Sequence, residues 1–174
     1  SQFKRWYDIA GTPVLDCTSS FANETFELRV RQSMNPPFHI PFAVKIGDRE
    51  EVLSVRQAEQ KFEFKCNSRP VPSLLRGFSA PVILNYPYSD ADLVHLLAND
   101  DDPFNRWEAG QRLVLRSAIE AIAEPVGSAR VDVLNAALVE ALRAVLRHPT
   151  LDAAFKELVL TLPSESYIAE QMNV

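Results

Sequence analysis

The sequence predicts an α+β chain in two parts, an antiparallel β-sandwich over residues 1–88 and an antiparallel α-helical array over residues 89–174. Three observations carry this. Before residue 89, apolar and polar residues alternate in short segments between proline-marked turns. After it, apolar residues recur at three- and four-residue steps, the helical period. Between the two, Ser89–Gln111 holds two helix starts in succession. Ser89 and Asp92 make an S-x-x-D capping box, in which each side chain bonds the other's backbone N–H. Asp102 supplies an N-cap acceptor just before Pro103, a residue suited to the first helical position.

In the first part, Phe26, Leu28 and Val30 alternate with Glu27, Arg29 and Arg31, and Phe62, Phe64 and Cys66 alternate with Lys61, Glu63 and Lys65. A period of two gives a strand one wet and one buried face. Phe42, Val44 and Ile46 form a third such set. Val14–Phe21, Val52–Val55 and Val82–Tyr86 bring the expectation to six or seven strands. Ala22-Asn23 reads as a short hairpin turn, and Gly47-Asp48 as a tight turn that uses glycine's positive φ. Asn35-Pro36-Pro37 cannot sit in a central strand, because two successive residues lack an N–H. Arg69–Pro72 is expected to run extended into Ser73–Phe78. Trp6 and Tyr7 precede the first strand and read as a packing contact against a neighbouring domain rather than a ligand platform.

In the second part, Ser89–Asn99 predicts a helix with Leu93, Leu96 and Leu97 on one face. Pro103–Ala123 predicts the next, with Phe104, Trp107, Val114, Leu115, Ala118 and Ile122 facing inward. Gly110 lies inside it and suggests close approach of another backbone. Pro125–Ser128 should end it. Val131, Leu134, Leu138, Leu142 and Val145 form a long stripe with Arg130, Asp132, Glu140, Arg143 and Arg147 off it. His148-Pro149 stops this helix, and Thr150-Leu151-Asp152 starts another carrying Leu151, Phe155, Leu158 and Leu162. Pro163-Ser164 breaks that one before a last helix over Glu165–Met172. Successive amphipathic helices with short links suggest antiparallel neighbours.

Composition bounds the chemistry. The chain is 47% hydrophobic and 24% charged, so it can bury a core. The net charge of −5 is uneven: residues 1–88 carry 11 basic and 9 acidic side chains, residues 89–174 carry 7 and 14. An acidic helical half argues against nucleic acid or an anionic membrane as partner. Cys17 and Cys66 are too few for a disulfide scaffold or an all-cysteine zinc site. Both fall on the inward phase of strands, which suits free buried thiols in a reducing cytoplasm; a disulfide across the sandwich is the alternative.

His39, His95 and His148 show no H-E-x-x-H spacing, which would place two imidazoles and a glutamate base on one helix face. His39 reads as packed at a strand entry, His95 as lying on a polar helix face, and His148 as sitting at a helix C-terminus. Neither cysteine has an adjacent histidine to activate it. No G-x-S-x-G, P-loop or dinucleotide fingerprint occurs. Asp100, Asp101 and Asp102 could suggest a cation site or a hydrolase's carboxylates, but three adjacent acids at a helix start more simply cap it. The residues therefore nominate no catalytic, cofactor-binding or metal-ligating side chain.

Several long stretches in series carry a resemblance: RWYDIAGTPVL (Arg5–Leu15), PFHIPFAV (Pro37–Val44), AEQKFEF (Ala58–Phe64), RPVPSLLRGFSAPVIL (Arg69–Leu84) and the segment Ser89–Gln111. Together they resemble the bacterial aminopeptidase N group of the M1 zinc metallopeptidases over essentially the whole chain. The resemblance implies a multi-domain fragment: an immunoglobulin-like β-sandwich domain at 1–88, then the first helices of a solenoid-like domain at 89–174. It implies that the parent removes N-terminal residues from peptides with a zinc-activated water. The zinc motif, the glutamate ligand and the G-x-M-E-N segment of that family are absent here, and in the parent they would precede Ser1. No cofactor is expected in this portion, and its partners would be the catalytic domain and later helices. Such a piece could self-associate through Trp6, Tyr7, Tyr167, Ile168 and Met172. The alternative is a free-standing β-sandwich binding module with a helical appendix.

Overall fold

The structure, a computed structural model, describes residues 4–123 and 129–172, without the side chains of residues 129–131, 133 and 134. The chain divides into two compact units, Ser1–Pro87 and Tyr88–Val174.

The first unit holds a short helix α1 (Arg5–Asp8) and seven strands: β1 (Val14–Ala22), β2 (Thr25–Gln32), β3 (Ile40–Ile46), β4 (Arg49–Val55), β5 (Glu59–Lys65), β6 (Ser73–Leu74) and β7 (Ile83–Asn85). They form a four-stranded sheet in the order β5-β2-β1-β7 and a three-stranded sheet in the order β4-β3-β6. The inward phase of each sheet is apolar and buried: Leu15, Cys17, Phe26, Leu28, Val30 and Phe64 from the larger, Phe42, Val44, Ile46, Leu53 and Val55 from the smaller. The outward phase of β2 and β5 is charged and solvated, with Glu27 3.3 Å from both Arg29 and Lys61. Hydrogen bonds from Arg29 and then Lys61 hold the Glu27 carboxyl below its ordinary range.

Local chemistry sets the turns. The β1–β2 hairpin closes on Asn23-Glu24, one residue beyond the expected pair, with φ of 50° and 55°. Two successive positive φ values match the twist of the flanking strands. Gly47, at φ 60°, opens the β3–β4 turn as expected. The loop between β2 and β3 includes a cis Asn35-Pro36 bond. It is pinned by buried Gln32, whose Nε2 donates to the carbonyls of Phe38 (3.0 Å) and Gln57 (2.9 Å) while its Oε1 accepts from Phe38 N–H (2.7 Å). Gln32 continues the inward phase of Phe26, Leu28 and Val30, but its polar side chain gives the apolar alternation no reason to extend to it.

Two expectations for this unit, the antiparallel sheet and the buried Cys66, need correction. β7 runs parallel to β1, pairing Val14 with Ile83 and Asp16 with Asn85, so the larger sheet is mixed rather than antiparallel. The chain reaches β7 only after leaving the smaller sheet through a 3-10 turn at Arg76–Phe78, and a crossover of that kind can return in the parallel sense. Trp6, half-buried, also makes contacts inside this unit: its ring lies 5.0 Å from that of Phe38 and its Nε1 donates to the His39 carbonyl. Arg5 donates to the Pro37 carbonyl nearby, while Tyr7 is 83% exposed. Cys66 is only half-buried, because it lies one residue past the end of β5 against the Gly47 turn.

The second unit contains α2 (Asp90–Asn99), α3 (Pro103–Ala123), α4 (Ala129–Arg147), α5 (Ala153–Leu160) and α6 (Glu165–Gln171). The expected starts are present. Ser89 and Asp92 complete the capping box, and the Asp102, Asp152 and Ser164 side chains accept from Asn105, Phe155 and Tyr167 N–H. Leu93, Leu96 and Leu97 of α2 are buried as expected, as are Leu138 and Val145 of α4. Leu142 is half-buried; the side chains of Val131 and Leu134, and the break at 125–128, lie outside the described residues.

α3 buries a different face from the one its apolar residues suggest. Its inward residues are Asn105, Arg106, Ala109, Gly110, Leu113 and Ser117, whereas Phe104 and Trp107 are half-buried and Ile122 is 60% exposed. Small side chains let α3 approach its neighbours. A Cβ at Gly110 would stand 3.4 Å from a Leu97 methyl, so the close neighbour is a side chain, not the expected backbone. α5 likewise buries Val159, with Leu158 and Leu162 exposed and Leu151 and Phe155 half-buried. α6 has no buried residue; Ile168 and Met172 are half-buried and Tyr167 is exposed.

Candidate functional site

The polar groups with chemical potential are dispersed. His39, half-buried at the entry to β3, shares a 2.7 Å hydrogen bond with Ser54 Oγ. His95 is exposed on α2 beside Asn99. His148 lies just past α4, where its Nδ1 meets Thr150 N–H. Each histidine thus has a local partner of its own. Among the described residues, no group of three or more His, Cys, Asp and Glu side chains is placed to hold a metal ion.

The acidic run is built into the α2–α3 corner. The Asp100 carboxylate accepts from Asp102 N–H at 2.9 Å, and Asp102 accepts from Asn105 N–H at 2.8 Å. The Asp100 carbonyl, at the C-terminus of α2, accepts from Arg106 Nε at 2.9 Å. Burial lowers the pKa of the Arg106 guanidinium, and the charges of Asp100 and Asp101 oppose that shift. These carboxylates satisfy backbone donors that a tight helix-to-helix corner would otherwise leave open. Sequence spacing marks Asp102 as a cap; Arg106 as the partner across the corner escapes it, because an arginine near acids reads as a surface charge.

Cys17 is 2% exposed, and burial, with a smaller contribution from Asp16, pushes its thiol up to about 12. A thiol so placed stays protonated and is a poor nucleophile. Both cysteines are free, which excludes the disulfide alternative here.

One hollow of about 360 Å³ lies in the first unit, where the β3–β4 turn (Gly47, Asp48, Arg49) meets the end of β5 and the segment after it (Lys65, Cys66, Asn67, Ser68, Pro70). It collects two cations, an anion, an amide, a hydroxyl and a thiol. The basic groups are occupied elsewhere. Arg49 pairs with Glu51 at 3.0 Å and lies over the Phe64 ring, and Lys65 donates to Thr25 Oγ1 at 2.7 Å. Sequence spacing gives no sign of this hollow, because only the folded sheets bring residues 47–49 to 65–70.

The two halves match two family descriptions. Residues 11–87 match a domain of unknown function with an Ig-like fold (DUF3458), and residues 90–174 match a domain of unknown function with ARM repeats (DUF3458_C). Aminopeptidase N of Escherichia coli strain K12 is 33% identical over 204 residues, covering all of this chain and 23% of that protein. Aminopeptidase N of Haemophilus influenzae is 32% identical, covering 99% of this chain and 23% of its own length. Over essentially its whole length the chain is similar to aminopeptidase N. It spans about a quarter of the length of these aminopeptidase N relatives. A crystal structure of Legionella pneumophila aminopeptidase A in complex with aspartic acid superposes with a TM-score of 0.84 at 27% identity, over 98% of this chain and 21% of that one. The aminopeptidase N match thus takes in both units, the Ig-like sheets and the helices, as one stretch of a longer protein. No helix among the described residues is long and apolar enough to cross a membrane.

Proposed function

We propose that this chain is a non-catalytic portion of an M1-type zinc aminopeptidase that removes N-terminal residues from peptides. Residues 1–88 serve as a domain that braces the catalytic domain, and residues 89–174 begin a helical wall around the active site. The zinc, its ligands and the glutamate base belong to the remainder of the parent. The observation that carries the reading is the end-to-end match of both halves to one stretch amounting to 23% of aminopeptidase N. The engagement of Asp100, Asp102 and Arg106 in a helix corner supports it, since these groups serve the fold rather than a substrate. The partners of this reading are the other domains of the parent, and its compartment is the cytoplasm, which suits two free thiols.

Assay of this chain beside its full-length parent tests the proposal. The chain alone should hold no stoichiometric zinc and cleave no aminoacyl-nitroanilide, while the parent should do both and lose activity to a chelator. One tightly bound zinc per chain, with chelator-sensitive peptidase activity in the chain alone, would overturn the reading.

A further inference from the structure

We draw no further inference here: the strongest candidate, the surface patch of apolar side chains that the α4–α6 region leaves exposed at Val139, Leu146, Leu158, Leu160, Leu162 and Tyr167, carries nothing because nothing in the structure shows what covers it.

Discussion

Arg106, in the first turns of α3, donates from Nε to the carbonyl of Asp100, the residue that ends α2, at 2.9 Å. The arginine is 4% exposed and Asp100 is 7% exposed. One side chain therefore satisfies a helix C-terminus across a buried corner, while the Asp100 carboxylate holds the N–H of Asp102. Removing a partner from a buried charge-assisted bond costs the desolvation of whatever remains. Arg106→Ala should destabilise the helical unit by about 2–4 kcal/mol. Arg106→Lys should recover only part, because lysine lacks the guanidinium fork. Urea melts followed by Trp107 fluorescence would check this; an unchanged midpoint for Arg106→Ala would mean that the corner is held by packing alone.

The inward face of α3 makes a second prediction. Ile122→Ala should change stability by less than about 0.5 kcal/mol, because the side chain is 60% exposed. On α4, Leu138→Ala should cost about 2–5 kcal/mol, since Leu138 is 8% exposed. Glu140→Ala should be near neutral: its contact with Arg143 joins two exposed side chains. The same denaturant series reads all three, and equal losses for Ile122→Ala and Leu138→Ala would place Ile122 in the core.

Gly110 separates two opposed effects. Alanine is favoured over glycine inside a helix by about 1 kcal/mol. A Cβ here meets Leu97 Cδ1 at 3.4 Å and Cδ2 at 3.9 Å, the near edge of ordinary contact. Gly110→Ala should therefore be neutral to stabilising by up to about 1 kcal/mol, whereas Gly110→Val should destabilise by about 1–3 kcal/mol through overpacking. Thermal melts that show Gly110→Ala as damaging as Gly110→Val would mean that Leu97 cannot yield at all.

The two thiols should separate by reactivity. Cys66, half-buried, should be alkylated by iodoacetamide at pH 8 in the folded protein, and Cys17 only after unfolding. Mass spectrometry of the labelled protein reads this directly. The Cys17 thiol rises from 9.0 in the reference state to about 12 in the fold. Between those values the unfolded chain releases a proton that the folded chain keeps, so stability falls as pH rises through this window. The slope is about 1.4 kcal/mol per pH unit at most. Cys17→Ala should remove that part of the alkaline loss; an identical pH profile in the variant would show that other groups govern it.

The strands and the helix starts are legible in the order of residues alone. An alternation such as Phe26–Arg31 has one physical solution when one face is wet. A Ser89–Asp92 box or an Asp102-Pro103 pair acts within a single turn and needs no distant partner. The same local reasoning makes Asp100–Asp102 part of a helix junction instead of a reactive cluster. Every choice that depends on who the neighbour is waits for the folded chain. The direction of β7 follows from where the chain re-enters the larger sheet, not from Ile83–Asn85 themselves. The inward face of α3 is set by what can approach closely: Gly110 beside Leu97 of α2, the buried Ala109 next to it in the chain, and buried Arg106 made tolerable by the Asp100 carbonyl. Hydropathy ranks Ile122 and Trp107 above those residues, and it cannot register that a small or hydrogen-bonded side chain fits where a large apolar one does not. Gln32 is the same case in the sheets, a polar residue buried at 4% exposure because three backbone groups converge on its amide.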